Sequence, residues 1–118
     1  MQVSSSGDPR PLDPSVDHAA FRVVQEALTN VTKHAGTSTR ATVELHWTAD
    51  RLQVEVRDDG GSNPKVSTAS GYGLIGLHER VALVGGRLVY GPEGQGFAVR
   101  AELPIAAQTS AQFDTSID

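Results

Sequence analysis

Between Ser15 and Ala35, the residues Phe21, Val24, Leu28, Val31 and Ala35 recur at spacings of three and four. That is one apolar stripe at the period of an α-helix, and a stripe of this length must be buried against a second layer. The polar side of the same segment is specific in composition. Turning about 100° per residue from Leu28 brings Arg22, Glu26, Asn30 and Lys33 together on the opposite side. An acid, an amide and an amine then project from one rigid surface, which by itself reads equally as a solvated helix face with i,i+4 neighbours. Asp13-Pro14-Ser15-Val16-Asp17 offers start chemistry, with Ser15 or Asp17 as N-cap. The helix is expected to stop at Gly36, a C′ glycine preceded by Lys33 and His34.

The period then changes from 3.6 to 2. Val43, Leu45 and Trp47 alternate with Thr42, Glu44 and His46, and Leu52, Val54 and Val56 alternate with Gln53, Glu55 and Arg57. Thr48-Ala49-Asp50-Arg51 is short enough for a hairpin turn. One face of this pair is apolar and the other charged, as in an antiparallel sheet covered on one side. By the same parity Asp58 points inward, placing a carboxylate at the rim of the buried face, where it needs a partner to offset its desolvation. An aspartate starting a turn can instead cap its own loop.

Ser62 to Ser70 is polar, small and aperiodic. Gly71-Tyr72-Gly73-Leu74-Ile75-Gly76-Leu77 leads into a second helix with Leu74, Leu77, Val81 and Val84 as its stripe and Gly85-Gly86 as its stop. A second strand pair follows. Leu88 and Tyr90 alternate with Arg87 and Val89, a loop is expected from Gly91 to Gly96, and Phe97, Val99, Ala101 and Leu103 share an inward parity. Helix, two strands, helix, two strands is an α+β order, and a two-layer α/β sandwich is the economical way to bury every stripe. Residues 1–12 are expected as an irregular lead-in or linker, 13–105 as the folded domain, and 106–118 as a flexible tail.

Composition narrows the function. At 118 residues one modest core is available, and a formal net charge of −4 without clustered Lys and Arg argues against nucleic acid. Without any Cys, thiol nucleophiles and thiolate metal sites are excluded. No apolar run approaches the roughly 20 residues of a membrane span, so no direct membrane contact is expected of this chain.

A glycine-rich loop opening a helix can cradle phosphate on free backbone N–H groups. Gly71 to Leu77 has that form but lacks the Lys-Ser or Lys-Thr of a P-loop. In order, the chain shows Glu-x-x-x-Asn-x-x-Lys-His, Asp-x-Gly, Gly-x-Gly-Leu-x-Gly-Leu and a late Gly-x-Gly. This set resembles the N, G1 and G2 boxes of the GHKL superfamily with its Bergerat ATP-binding fold, a mostly antiparallel mixed sheet with helices on one face. Within it, VVQEALTNVTKHA and GLIGLHERVALVGG are similar to the NarX/DesK-like branch of two-component sensor histidine kinases. The resemblance covers about residues 12 to 105.

The resemblance implies the following roles. Asn30 would coordinate Mg²⁺ bridging the ATP phosphates, and Glu26 would polarise or orient the attacking group. Lys33 and His34 fall where the family contacts phosphates or nucleotide. Asp58 would accept from the adenine amino group, Gly60 would keep the loop open beside the base, and Gly71, Gly73 and the Leu74 backbone would belong to the ATP lid, Ser62 to Tyr72. Two positions depart from the pattern: Ser62 stands at the second G1 glycine, and Phe97 stands where a Thr often lies near adenine. The inward parity of Phe97 predicts core packing.

The implied activity is that of a protein-histidine kinase catalytic domain, cytoplasmic and monomeric in isolation. It would bind Mg-ATP and transfer phosphate to a histidine on a separate dimerisation domain, signalling indirectly to a response regulator. None of His18, His34, His46 and His78 has a phosphoacceptor context. An anti-sigma-factor-type serine kinase of the same superfamily, or a degenerate interaction domain, are the alternatives.

Overall fold

The N-terminal helix begins one residue earlier than its stripe suggests, and with different cap chemistry. The computed structural model describes residues 2–35, 40–60 and 71–105, and in it α1 spans Pro14–Ala35. Proline fits the first helical position because its missing N–H would be unsatisfied there in any case. The Asp13 carbonyl accepts the Asp17 N–H at 2.9 Å, so Asp13 is the N-cap. Ser15 and Asp17, expected as caps, lie inside the first turn instead, where Asp17 complements the helix dipole. The expected stop at Gly36 lies outside the described residues.

The buried face of α1 is also turned relative to the expected one. Val16, Ala19, Val23 and Ala27 are buried, Val24 and Leu28 pack at the margin of the core, and Phe21 is 59% exposed. The apolar arc is wide enough for either choice of centre. Small alanines at two buried positions let the helix axis approach the sheet closely, which a stripe centred on Phe21 would prevent.

β2 (Ala41–Trp47) and β3 (Arg51–Asp58) form the expected antiparallel hairpin, with Val43 opposite Val56, Leu45 opposite Val54 and Trp47 opposite Leu52. Its turn closes by Thr48 N–H donating to the Arg51 carbonyl at 2.9 Å, while Thr48 Oγ1 accepts the Arg51 N–H at 3.1 Å. α2 (Gly71–Leu83) buries Leu74, Leu77 and Val81 and ends in a Schellman motif. There the Gly86 N–H donates to the Val81 carbonyl and the Gly85 N–H to that of Ala82, with Gly85 at φ +84.

β4 (Arg87–Glu93) and β5 (Gly96–Pro104) close the chain. The loop expected from Gly91 to Gly96 is shorter than that, because Gly91 and Pro92 continue β4 and only Gly94 and Gln95 connect the strands. Pro92 is tolerated because β4 is an edge strand, and Gly94 at φ +60 occupies the first central position as a type II′ turn requires.

The sheet has five strands in the order β1-β2-β3-β5-β4. β1, Gln2–Ser6, falls in the stretch expected to be irregular, and it pairs parallel to β2. It shows no alternation because every one of its residues is exposed. The backbone ladder holds it, with a 2.6 Å hydrogen bond between Ser6 Oγ and His46 Nδ1 and Arg10 donating to the Ala49 carbonyl at 2.7 Å just after it. The sheet is therefore mixed but mostly antiparallel, with both helices on one face. Its other face carries ion pairs, Arg100 to Glu55 at 2.6 Å and to Glu93 at 3.0 Å, and Arg57 to Glu55 at 3.1 Å. Burial pushes the Glu55 carboxyl up, but hydrogen bonds and charges from Arg100 and Arg57 together outweigh it and hold the group below its ordinary value.

Candidate functional site

Glu26 and Asn30 sit one turn apart on α1, about 6 Å along its axis. Asn30 does not lie on the solvent side opposite the core, as the stripe implied. It continues the buried row of Val23 and Ala27 and is only 6% exposed. Its Nδ2 has no hydrogen-bond partner among the described residues. A buried amide donor left unsatisfied costs about 1–3 kcal/mol, so this Nδ2 calls for an acceptor, an ordered water or a ligand oxygen. Arg22, expected beside it, instead donates to Gln25 Oε1 at 2.8 Å.

The first turn of α2 packs onto Glu26. A Cβ built on Gly73 would run into the Glu26 carboxylate, with Cδ at 2.7 Å. A side chain at this position would displace the carboxylate end of Glu26 from its present place. Gly71 opens that helix, while the Leu74 side chain is a core residue at 1% exposure, leaving only its backbone available to a ligand. Lys33 and His34 belong to the last turn of α1, and their side chains lie outside the described residues, as does the expected lid, Ser62 to Tyr72, as far as Ser70; its last two residues open α2.

Asp58 ends β3 on the core face, paired with Ala41 on one side and Phe97 on the other. Its Oδ1 accepts the Gly60 N–H at 2.8 Å, and the carboxylate also accepts the Phe97 N–H. Burial pushes this carboxyl above its ordinary value of 3.8, an effect that the two backbone N–H groups only partly offset. Both readings of Asp58 thus have a basis: the side chain faces inward, and it ties its own loop.

The glycines around it serve backbone packing. Gly60 has φ +80, and a Cβ there would meet the Gln95 carbonyl; a Cβ on Gly96 would meet the carbonyl of Asp58. The end of β3 and the start of β5 therefore lie backbone against backbone. This explains the late glycine motif without any ligand contact, a role its spacing did not reveal. Asp59 was also missed: its Oδ1 accepts the Arg40 N–H at 3.0 Å and its N–H donates to the Arg40 carbonyl at 3.1 Å, pinning the start of β2. A cleft of about 550 Å³ lined by Asp13, His18, Arg80, Leu83 and Pro104 lies at the far ends of both helices, away from these residues.

An acid and an orphaned amide on one helix, a glycine-opened second helix against the acid, and an inward carboxylate at a strand end lie toward the end of the sandwich away from that cleft. Comparison with known proteins shows the family. The family model of histidine kinase-, DNA gyrase B- and HSP90-like ATPases matches residues 16–107, and the chain belongs to that family. Sensor histidine kinase LnrJ of Bacillus subtilis (strain 168) is 38% identical over 106 residues, covering 89% of this chain and 26% of its own length. Sensor histidine kinase NarS of Mycobacterium tuberculosis is 36% identical over 100 residues, covering 80% of this chain and 23% of its own. The chain thus spans about a quarter of the length of these curated relatives. The catalytic domain of histidine kinase ThkA superposes with a TM-score of 0.69 at 14% identity, over 91% of this chain and 80% of that one, a likeness of fold.

Proposed function

We propose that this chain is the ATP-binding catalytic domain of a sensor histidine kinase, and that it positions the γ-phosphate of Mg-ATP for transfer to a histidine on a dimerisation domain. The observation that carries the reading is the buried, unpartnered amide of Asn30 one turn from Glu26. Family membership and kinship with sensor histidine kinases support it. Phosphoryl transfer needs little covalent chemistry from the protein; positioning and charge neutralisation carry it.

Among the described residues no three His, Asp or Glu side chains are grouped as a metal cage. Mg²⁺ held by a nucleotide takes most of its oxygens from phosphates and water and needs one or two from protein. Asn30 would supply that ligand through its side-chain carbonyl oxygen, its unpartnered Nδ2 being left to donate to a phosphate oxygen, with Glu26 beside it, and the ion would neutralise charge on the phosphate oxygens. In this reading Glu26 orients the attacking group, Lys33 and His34 contact the phosphates or another part of the nucleotide, and Gly71, Gly73 and the Leu74 backbone border the phosphates. Asp58 accepts from the adenine amino group, with Gly60 keeping the loop clear of the base. The functional unit is residues 13–105, with 106–118 as a tail. It acts on the cytoplasmic side, as a monomer in isolation, and reaches a response regulator only through the phosphorylated histidine.

Isothermal titration with a non-hydrolysable ATP analogue tests the proposal. Binding is expected with Mg²⁺ and weaker without it, and Asn30→Ala is expected to remove most of that difference. Equal affinity with and without Mg²⁺ in both proteins would refute the metal assignment; no binding in either condition would refute the function.

A further inference from the structure

On one flank of α1 the apolar surface continues past the ground that the two helices cover. α2 lies against the Glu26 side of α1, and Val24 and Leu28 run along the flank roughly opposite, with Phe21 above them. α1 packs on β3 and β5 and meets β2 only at its margin, while α2 packs on β4. In the strand order β1-β2-β3-β5-β4, that flank therefore looks out over β2 and β1. The core parity of these two strands carries Leu45 and Trp47, both half-buried, and Val3, which pairs with Val43 and is 61% exposed. Phe21 is 59% exposed. Phe21, Val24, Leu28, Val3, Leu45 and Trp47 thus make one apolar shoulder between a helix and a sheet edge.

Single exposed apolar residues are ordinary, but a continuous strip of them marks an interaction surface. Its shape selects the partner. Neighbouring strands lie about 4.8 Å apart and packed helices roughly 8–10 Å apart. A helix set beside α1 at that distance, on the side away from α2, would lie over β2 and β1, where no described helix lies. A strand added to the β1 edge would leave Phe21, Val24 and Trp47 uncovered, because they stand on the face and not at the edge. Charge narrows the choice further. Asp17 stands one turn before Phe21 and is the only charged member of the row Asp17, Phe21, Val24 and Leu28, while Arg22 turns to Gln25. A second copy presenting its exposed α2 face would set Glu79, between Ile75 and Leu83, against Asp17, two acids together. We propose that this shoulder docks an amphipathic helix of a protein partner, one with an aliphatic face and a basic flank, on the side of α1 away from Glu26.

Trp47 is the single tryptophan of the chain, so its emission reports on the shoulder directly. A Leu-Lys amphipathic peptide of about 18 residues, long enough to be helical, and a Leu-Glu peptide with the same apolar face are titrated into wild type, Phe21→Ala, Val3→Ser and Asp17→Asn. Thermal melts of the free proteins are the folding control. The Leu-Lys peptide is expected to shift Trp47 emission to the blue, saturably, and to bind at least about tenfold tighter than the Leu-Glu peptide. Phe21→Ala and Val3→Ser should each weaken it about fivefold or more, and Asp17→Asn should narrow the gap between the two peptides. Amide shifts in wild type should map to β1, β2 and the outer flank of α1. Folded variants with unchanged affinity, or shifts that map elsewhere, would overturn the shoulder; should Val3→Ser release β1, Phe21→Ala decides alone. Equal affinity for both peptides would overturn the basic partner. A Trp47 shift that grows with protein concentration alone, with dimers in sedimentation, would put a second copy there instead. A shift with phosphatidylcholine–phosphatidylglycerol vesicles and with neither peptide would put a membrane there, and either result overturns the helix. The ATP reading stands or falls on its own titration, because Phe21, Val3 and Asp17 take no part in it.

Discussion

Asp58 connects ionisation, folding and base choice in a single side chain. An ionised carboxylate only accepts hydrogen bonds, and adenine offers an amine where guanine places a carbonyl. Facing two acceptors in a half-buried site costs roughly 1–3 kcal/mol, so ATP is expected to bind at least about tenfold tighter than GTP. Competition assays check this, and Asp58→Asn should weaken ATP and narrow the gap, because an amide also donates. The pH dependence has a definite sign. Burial raises the folded value above 3.8, so the folded state holds this proton more tightly than the unfolded chain does. Its contribution to stability is therefore complete below the unfolded value and is lost as pH rises through the raised folded one. Ionisation at neutral pH costs the fold something that base recognition uses. Melts at neutral pH should accordingly show Asp58→Asn no less stable than wild type, with ATP affinity falling on acidification sooner than for an ordinary aspartate. A marked loss of stability in Asp58→Asn would instead make the ties to Gly60 and Phe97 its main role.

At the scale of elements, the rotation of α1 decides which residues meet the sheet. Val23 is completely buried and Phe21 is 59% exposed, although both belong to the helix's apolar arc. Val23→Ala removes the equivalent of two methylene groups from a closed core and should cost about 2 kcal/mol. Phe21→Ala should stay within about 0.5 kcal/mol, as for other surface substitutions. Chemical denaturation of both variants checks the rotation, since a helix centred on Phe21 would reverse the order. The same rotation carries Asn30 into the buried row behind Ala27 and leaves Glu26 half-buried against Gly73. Stability and site are thus set by one angle. The cost of burying an amide is accepted at the position the site needs.

Across the whole molecule Glu26, Asn30 and Asp58 lie toward one end of the sandwich, and His34, in the last turn of α1, is assigned to the phosphates as a contact and not as their acceptor; the other three histidines lie elsewhere or are engaged. His18 is twelve residues from Asn30 along α1, about 18 Å at helical rise. His46 is hydrogen-bonded to Ser6, and His78 is exposed on α2. Incubation of the chain alone with γ-labelled ATP is therefore expected to leave no acid-labile label, while a supplied dimerisation domain becomes labelled. Label on the chain itself would mean that one of its four histidines accepts phosphate.

Periodicity and turn chemistry were enough to determine the two helices, four of the strands, the helix-covered sheet and the Gly85-Gly86 stop, because each follows from local propensity and a single apolar stripe. The ordered Glu26–Asn30, Asp58 and Gly71–Gly73 motifs placed the chain in its family for the same reason: spacing along the chain is what a sequence records. β1 was invisible because an all-exposed edge strand is held by backbone pairing, which carries no side-chain signature. The burial of Asn30 and the exposure of Phe21 depended on where helix and sheet interlock, and an arc of apolar residues does not specify its own centre. The reciprocal packing of Gly60 and Gly96, the seat of Glu26 on Gly73 and the pairing of Phe97 with Asp58 join residues 36, 47 and 39 positions apart. Only the tertiary structure decided these, because close approach of distant backbone is a property of the packed sandwich and not of any segment in it.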